Sequence, residues 1–168
     1  MAIWQYDIGL VPRLGVIRLH GIIPAELPGY RAVWNPEEGA EKPLPNYWDD
    51  GLPPASLAGE IAAMLPVGSS WSADALMYGA EDSHCVKIWK TDGITFRFDL
   101  RRPDLSLLRS IVDFADRHGL LLVPDTRGQP MEPSFEGIIA DMRTSDAYRF
   151  CKDPEAYLRS LKYRNDAR

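Results

Sequence analysis

The sequence predicts an α+β domain: a mainly antiparallel sheet with helices packed largely on one face. Three observations lead there. Residues 85–100 form two strand-like runs flanking Asp92-Gly93, a dipeptide favoured in tight primed turns. Apolar residues recur at helical spacing over 55–65, 104–118, 134–144 and 154–163, each bounded by cap or turn residues. The 168 residues, 45% hydrophobic and 26% charged, match one ordinary globular domain. A chain of this length buries roughly 70% of its unfolded surface without disulfides or metals.

In chain order, Ile3 to Val11 is rich in aromatic and branched residues and stops at Pro12, which reads as a strand. Gly15 to His20, with Val16 and Ile17, reads as a second strand. Seven prolines fall among the 31 residues from Pro24 to Pro54, too many for regular elements, so this stretch is expected to be a long loop. Loops of more than about 12 to 15 residues in a compact domain are functional or disordered, and Tyr30, Trp34, Tyr47 and Trp48 here favour order.

Pro53-Pro54 then precede a helix with Leu57, Ile61, Met64 and Leu65 on one face. Trp71 to Gly79 fits either a short helix or an extended run. In the second strand of the expected hairpin, Ile94, Phe96, Phe98 and Leu100 share one face, with Thr95, Arg97, Asp99 and Arg101 on the other. Pro103 and Asp104 open a helix whose apolar stripe is Leu105, Leu108, Ile111, Val112 and Ala115, and Gly119 suits its left-handed C′ position. Leu120 to Val123 is a short buried strand, followed by turns through Pro133. Ser134 to Thr144 aligns Phe135, Ile138, Ile139 and Met142 on a further helix. Asp153-Pro154 caps and starts the last helix, with the tail from Lys162 expected to fray.

Charge divides the chain. Residues 1–84 carry 11 acidic and 4 basic side chains, residues 85–168 carry 13 and 15, and the total is −5. An acidic chain repels phosphate backbones, so nucleic acid is not an expected partner, whereas a basic protein surface is. No stretch approaches the ~20 apolar residues of a membrane span, and Met1 to Asp7 has no basic or long apolar leader pattern, so a cytoplasmic protein is expected. Cys85 and Cys151, without CxxC spacing, read as free buried thiols rather than a disulfide or zinc site.

No metal site, cofactor or catalytic residue is expected from the sequence. His20, His84 and His118 are dispersed and fit no metal-ligand spacing. Ser69-Ser70-Trp71-Ser72 lies in neither a GxSxG elbow nor an SxxK, and no glycine-rich phosphate loop occurs. Asp99 between Arg97 and Arg101 reads as an ion-pair ladder before an acid/base site. The pairs Glu37-Glu38 and Asp49-Asp50 do not by themselves assemble a calcium shell. In Asn46-Tyr47-Trp48-Asp49-Asp50, large rings beside acids suit a basic partner; the alternative is that Tyr47 and Trp48 fold back on the core while the acids stay solvated.

The second half, from Trp71 to Gly79 through Ile94-Thr-Phe-Arg-Phe-Asp-Leu-Arg101, Leu108-Arg-Ser-Ile-Val-Asp-Phe-Ala115 and Leu120-Leu-Leu-Val123, resembles small bacterial immunity proteins that accompany polymorphic or type VI secretion toxins. The likeness covers that half only and rests on a strand–helix–strand pattern. It implies a cytoplasmic antidote that binds one cognate toxin, commonly over its active site, with no catalytic residues to carry over. A nucleic-acid-cutting toxin offers a basic cleft that acidic side chains can enter by mimicking phosphates. The expected contact residues are Trp34, Glu37, Glu38, Tyr47, Trp48, Asp49 and Asp50. Two readings compete: a small hydrolase or transferase joining Asp99 to His20 or His84, and a self-associating scaffold.

Overall fold

A computed structural model of the chain describes residues 2–27, 46–48, 55–89, 93–124 and 128–166. It is an α+β fold around one antiparallel sheet. The strands are β1 (Gln5–Pro12), β2 (Ala75–Gly79), β3 (Cys85–Trp89), β4 (Gly93–Asp99) and β5 (Leu120–Pro124), in the order β2-β3-β4-β1-β5. The helices are α1 (Arg13–His20), α2 (Ala55–Met64), α3 (Leu105–Arg117), α4 (Phe135–Thr144), α5 (Asp146–Lys152) and α6 (Pro154–Asp166).

The expected hairpin is the β3–β4 pair, but Trp89 lies opposite Gly93, so three residues separate the paired ends. Gly93, at φ 95°, is the first residue of β4 rather than part of a two-residue Asp92-Gly93 turn, and Asp92 lies outside the described residues. The N-terminal strand β1 inserts between β4 and β5, so the first twelve residues close the sheet through long-range pairings. Register then sorts side chains by parity. Tyr6, Ile8 and Leu10 lie beside Phe98, Phe96 and Ile94, and these beside Val86 and Ile88. That face forms the main core with Leu57 and Ile61 of α2, Leu108, Ile111 and Phe114 of α3, Ile138 and Met142 of α4 and Ala147 of α5. The other face carries Asp7, Arg97, Lys87 and Cys85, except at the β1–β5 end. There Val11, Leu121 and Val123 pack with Val16, Leu27 and Tyr47 in a second, smaller cluster.

Short foreign segments lie along the outermost strands. Val67 bridges to Tyr78 of β2, with Gly68 N–H donating to the Met77 carbonyl and Gly79 N–H to that of Pro66. Met131 bridges to Leu122 of β5 through two reciprocal backbone bonds of 2.9 and 2.8 Å.

Four sequence expectations are corrected. Gly15 to His20 is helical, not a strand: α1 ends on Gly21 at φ 76°, whose N–H bonds the Ile17 carbonyl. Branched Val16 and Ile17 favour strands locally, but packing overrides that preference, because the backbone of Tyr47 comes so close that a Cβ on Gly15 would collide with its carbonyl oxygen. Leu105 is half exposed at the start of α3, and Leu107 and Phe114 take the buried positions instead. Ser145 caps an additional short helix, α5, by accepting from Tyr148 N–H. The last helix continues to Asp166 instead of fraying from Lys162. The Trp71–Gly79 ambiguity resolves into a serine-bonded turn followed by β2. Asp104 caps α3 by accepting from Ser106 and Leu107 N–H, and Gly119 adopts φ 62° beyond its end.

Candidate functional site

The acidic, aromatic stretch of the first half is anchored at both sides in the smaller cluster. Leu27, from which the chain departs, and Tyr47, at which it returns, pack together on Val11, Val16, Leu121 and Val123. Leu27 N–H also donates to the Gly128 carbonyl at 2.9 Å. Asn46 turns the returning chain by accepting from Trp48 N–H at 3.0 Å.

Tyr47 and Trp48 are only 5% and 7% exposed, so the two rings are folded back on the core and are not presented to a partner. Trp48 joins the main core, its indole where a Cβ on Gly93 would sit, and burial pushes the Tyr47 phenol up from its ordinary value. The sequence left this arrangement open, because the neighbours of both rings come from distant parts of the chain. Trp34, Glu37, Glu38, Asp49 and Asp50 lie outside the described residues.

What does face outward beside this anchor is α1. Leu14, Ile17, Leu19 and Ile22 are 78%, 37%, 48% and 68% exposed, while only Gly15 and Val16 of the helix are buried. Most surface helices turn their apolar side chains inward; here Val16 points inward while Leu14, Ile17 and Leu19 are exposed around the helix. The helix is pinned to the returning chain by the Gly15–Tyr47 backbone contact and by the Arg18 guanidinium donating to the Asn46 carbonyl at 3.5 Å. His20 adds a contact, its Nε2 3.4 Å from the Tyr47 hydroxyl. Together the four residues expose on the order of 400 Å², within the range of the largest apolar patch on an ordinary monomer. The strand assigned to this segment hid the ridge. The available signal was that residues 8–25 contain no acid within an otherwise acidic half, while holding two of its four basic residues.

The groups considered for acid/base chemistry are engaged elsewhere. Asp99 is 3% exposed by side chain, and Arg101 holds it through Nε and Nη2 at 3.0 and 2.7 Å and through its backbone N–H at 2.9 Å. Those bonds keep its carboxyl below the usual range. Arg97 does not join this ladder; it grips Asp7 with Nε and Nη2, both at 3.0 Å. His84 Nδ1 accepts from Asp99 N–H at 3.1 Å, which leaves Nε2 to donate to the Arg102 carbonyl at 3.0 Å. Both ring nitrogens therefore tie the β2–β3 turn to the end of β4. His20 stands apart on α1, and His118 Nε2 meets Glu60 at 2.9 Å. Cys85 is buried and free, its thiol pushed up to about 11 by burial. Among the described residues no group of three or more His, Cys, Asp or Glu could hold a metal ion, and no helix is long and apolar enough to cross a membrane.

No family model, curated protein or solved structure matches this chain. The reading of its function rests on the surface just described.

Proposed function

We propose that this chain is a stoichiometric binding protein of the immunity type, which neutralises a cognate toxin by covering its active site. The observation that carries the reading is the set of exposed aliphatic side chains on α1 and just past its end, beside the anchor of the acidic segment. Interfaces between proteins combine an apolar centre with a polar, charged rim. Here the centre is Leu14, Ile17, Leu19 and Ile22. The contact residues expected from the sequence, Trp34, Glu37, Glu38, Asp49 and Asp50, belong to a 24–54 stretch that has six acidic and two basic side chains. Acids around an apolar centre accelerate encounter with a basic cleft and discriminate against acidic surfaces. Tyr47 and Trp48 serve this reading by fixing where the chain returns after Leu27, not by touching the partner. The proposal needs neither cofactor nor metal, and it places the chain in the cytoplasm of the cell that makes the toxin.

The test is co-expression with the protein encoded beside it, in a bacterial host whose growth that protein arrests. Wild type is expected to restore growth and to elute with the toxin as a one-to-one complex. Leu14→Ser/Ile22→Ser, and separately Glu37→Lys/Glu38→Lys/Asp49→Lys/Asp50→Lys, are expected to weaken both effects while circular dichroism stays native. Growth arrest unrelieved by folded wild type would sink the proposal. The same ridge also favours a second reading, pairing of two copies about a two-fold axis. A sedimentation coefficient that stays monomeric up to about millimolar concentration, where weak interfaces of this area form, removes it.

A further inference from the structure

On the polar face of the sheet the buried Lys87 and the largely buried Arg97 converge on one carboxylate. Glu81, in the β2–β3 turn, takes Lys87 Nζ at 2.7 Å and Arg97 Nη1 at 2.9 Å. The remaining edge of the Arg97 guanidinium is filled by Asp7, which binds Nε and Nη2. Lys87 and Arg97 are 9% and 16% exposed by side chain, whereas Glu81 is 45% exposed. The cations are therefore fixed in the sheet, and the anion that neutralises them stands on the solvent side, where a ligand would stand.

The turn does not need that carboxylate to keep its shape. Ala80 N–H donates to the His84 carbonyl at 3.1 Å and Ser83 N–H to that of Ala80 at 3.0 Å. The Glu81 carbonyl accepts from Gln5 Nε2 at 3.2 Å, and Arg101 reaches the Asp82 carbonyl. Rotation of the Glu81 side chain alone would vacate the position. Asp7 and Arg97 would remain balanced, and Lys87 would be a buried ammonium, cation–π contact with Trp89 apart, in need of an anion. A buried ammonium left without an anion is costly, so Lys87 needs a negative partner on its solvent side whichever group supplies it.

We propose that Lys87 and Arg97 form a carboxylate-binding seat which the chain's own Glu81 keeps shut, and which an external carboxylate, such as an acidic side chain or chain terminus of another protein, opens by taking Glu81's place. Two converging donors on one oxygen, with a second oxygen also near Lys87, match a carboxylate; a phosphate shares that chemistry and is the alternative source. A tethered competitor acts at an effective concentration of about millimolar or more, so wild type binds a free anion weakly and removal of the Glu81 charge unmasks the seat.

The experiment titrates acetate, phosphate and, as ionic-strength control, chloride into wild type, Glu81→Gln and Glu81→Gln/Lys87→Met, following backbone amide resonances of β3 and β4. The expected result is an apparent Kd for acetate at least about tenfold lower in Glu81→Gln than in wild type, with no saturable response in the double variant, as mass action on one vacated site requires. Tighter phosphate than acetate binding in Glu81→Gln would overturn the carboxylate assignment. If Glu81→Gln is unfolded in chloride, recovery of its native spectrum in acetate supports the seat. A variant that stays unfolded in acetate, or folds without responding to it, overturns the proposal.

Discussion

Trp48→Ala separates a ring that belongs to the fold from one that belongs to a partner. The indole is 7% exposed, packs into the main core and lies where a Cβ on Gly93 would be. Truncating a buried tryptophan costs about 3–5 kcal/mol from lost transfer free energy and the cavity left behind. In a domain of this length each kcal/mol moves Tm by about 2–4 °C, so the expected fall is roughly 6–20 °C. Urea unfolding followed by circular dichroism at 222 nm measures the loss without relying on tryptophan fluorescence, which the substitution itself alters. A surface ring removed in the same way would change stability by no more than about 0.5 kcal/mol. A loss below about 1 kcal/mol would therefore refute the placement of Trp48 in the core and return it to the candidate contact surface.

Three further outcomes are expected. Gly15→Ala forces a methyl against the Tyr47 carbonyl and should cost about 1–3 kcal/mol in the same urea assay, although alanine is the better helix former. Asp99→Asn weakens the Arg101 clasp and should cost about 1–3 kcal/mol at neutral pH. Because the folded-state pKa of Asp99 lies below its ordinary 3.8, its contribution is present above that value and lost as pH falls through the folded pKa; the stability difference between wild type and variant should shrink in acid. Iodoacetamide at neutral pH should label Cys151 before Cys85, which is fully buried and titrates at about 11, and mass spectrometry should find Cys85 modified only after denaturation.

Local chemistry made much of the fold readable. The hairpin followed from the two strand-like runs, although Gly93 opens β4 instead of sitting in a two-residue turn, and α3 followed from Asp104, its apolar spacing and Gly119. These signals lie within a few residues of what they specify. The segment Gly15 to His20 failed the same treatment because its conformation answers to Tyr47, some thirty residues away, and its branched residues point locally to a strand. The helix α5 is only seven residues long, too short for periodicity to register. The candidate site shows the same division. Composition located the acidic aromatic stretch, but which rings are interior depends on Gly93 and on the Val11–Leu121–Val123 patch, and no local pattern records those meetings. The exposed face of α1 could be recognised only once the segment was known to be helical.

The short segments against β2 and β5 bear on how this protein behaves when crowded. A naked outer strand is a template on which other chains can grow into fibres. Here each outer strand already carries a neighbour too short to offer a ladder of its own. On the β2 side that neighbour begins with Pro66, which has no N–H to donate, and β5 itself ends on Pro124. Stacking of copies strand on strand therefore has little to start from along β2 and β5, which leaves association to side-chain surfaces.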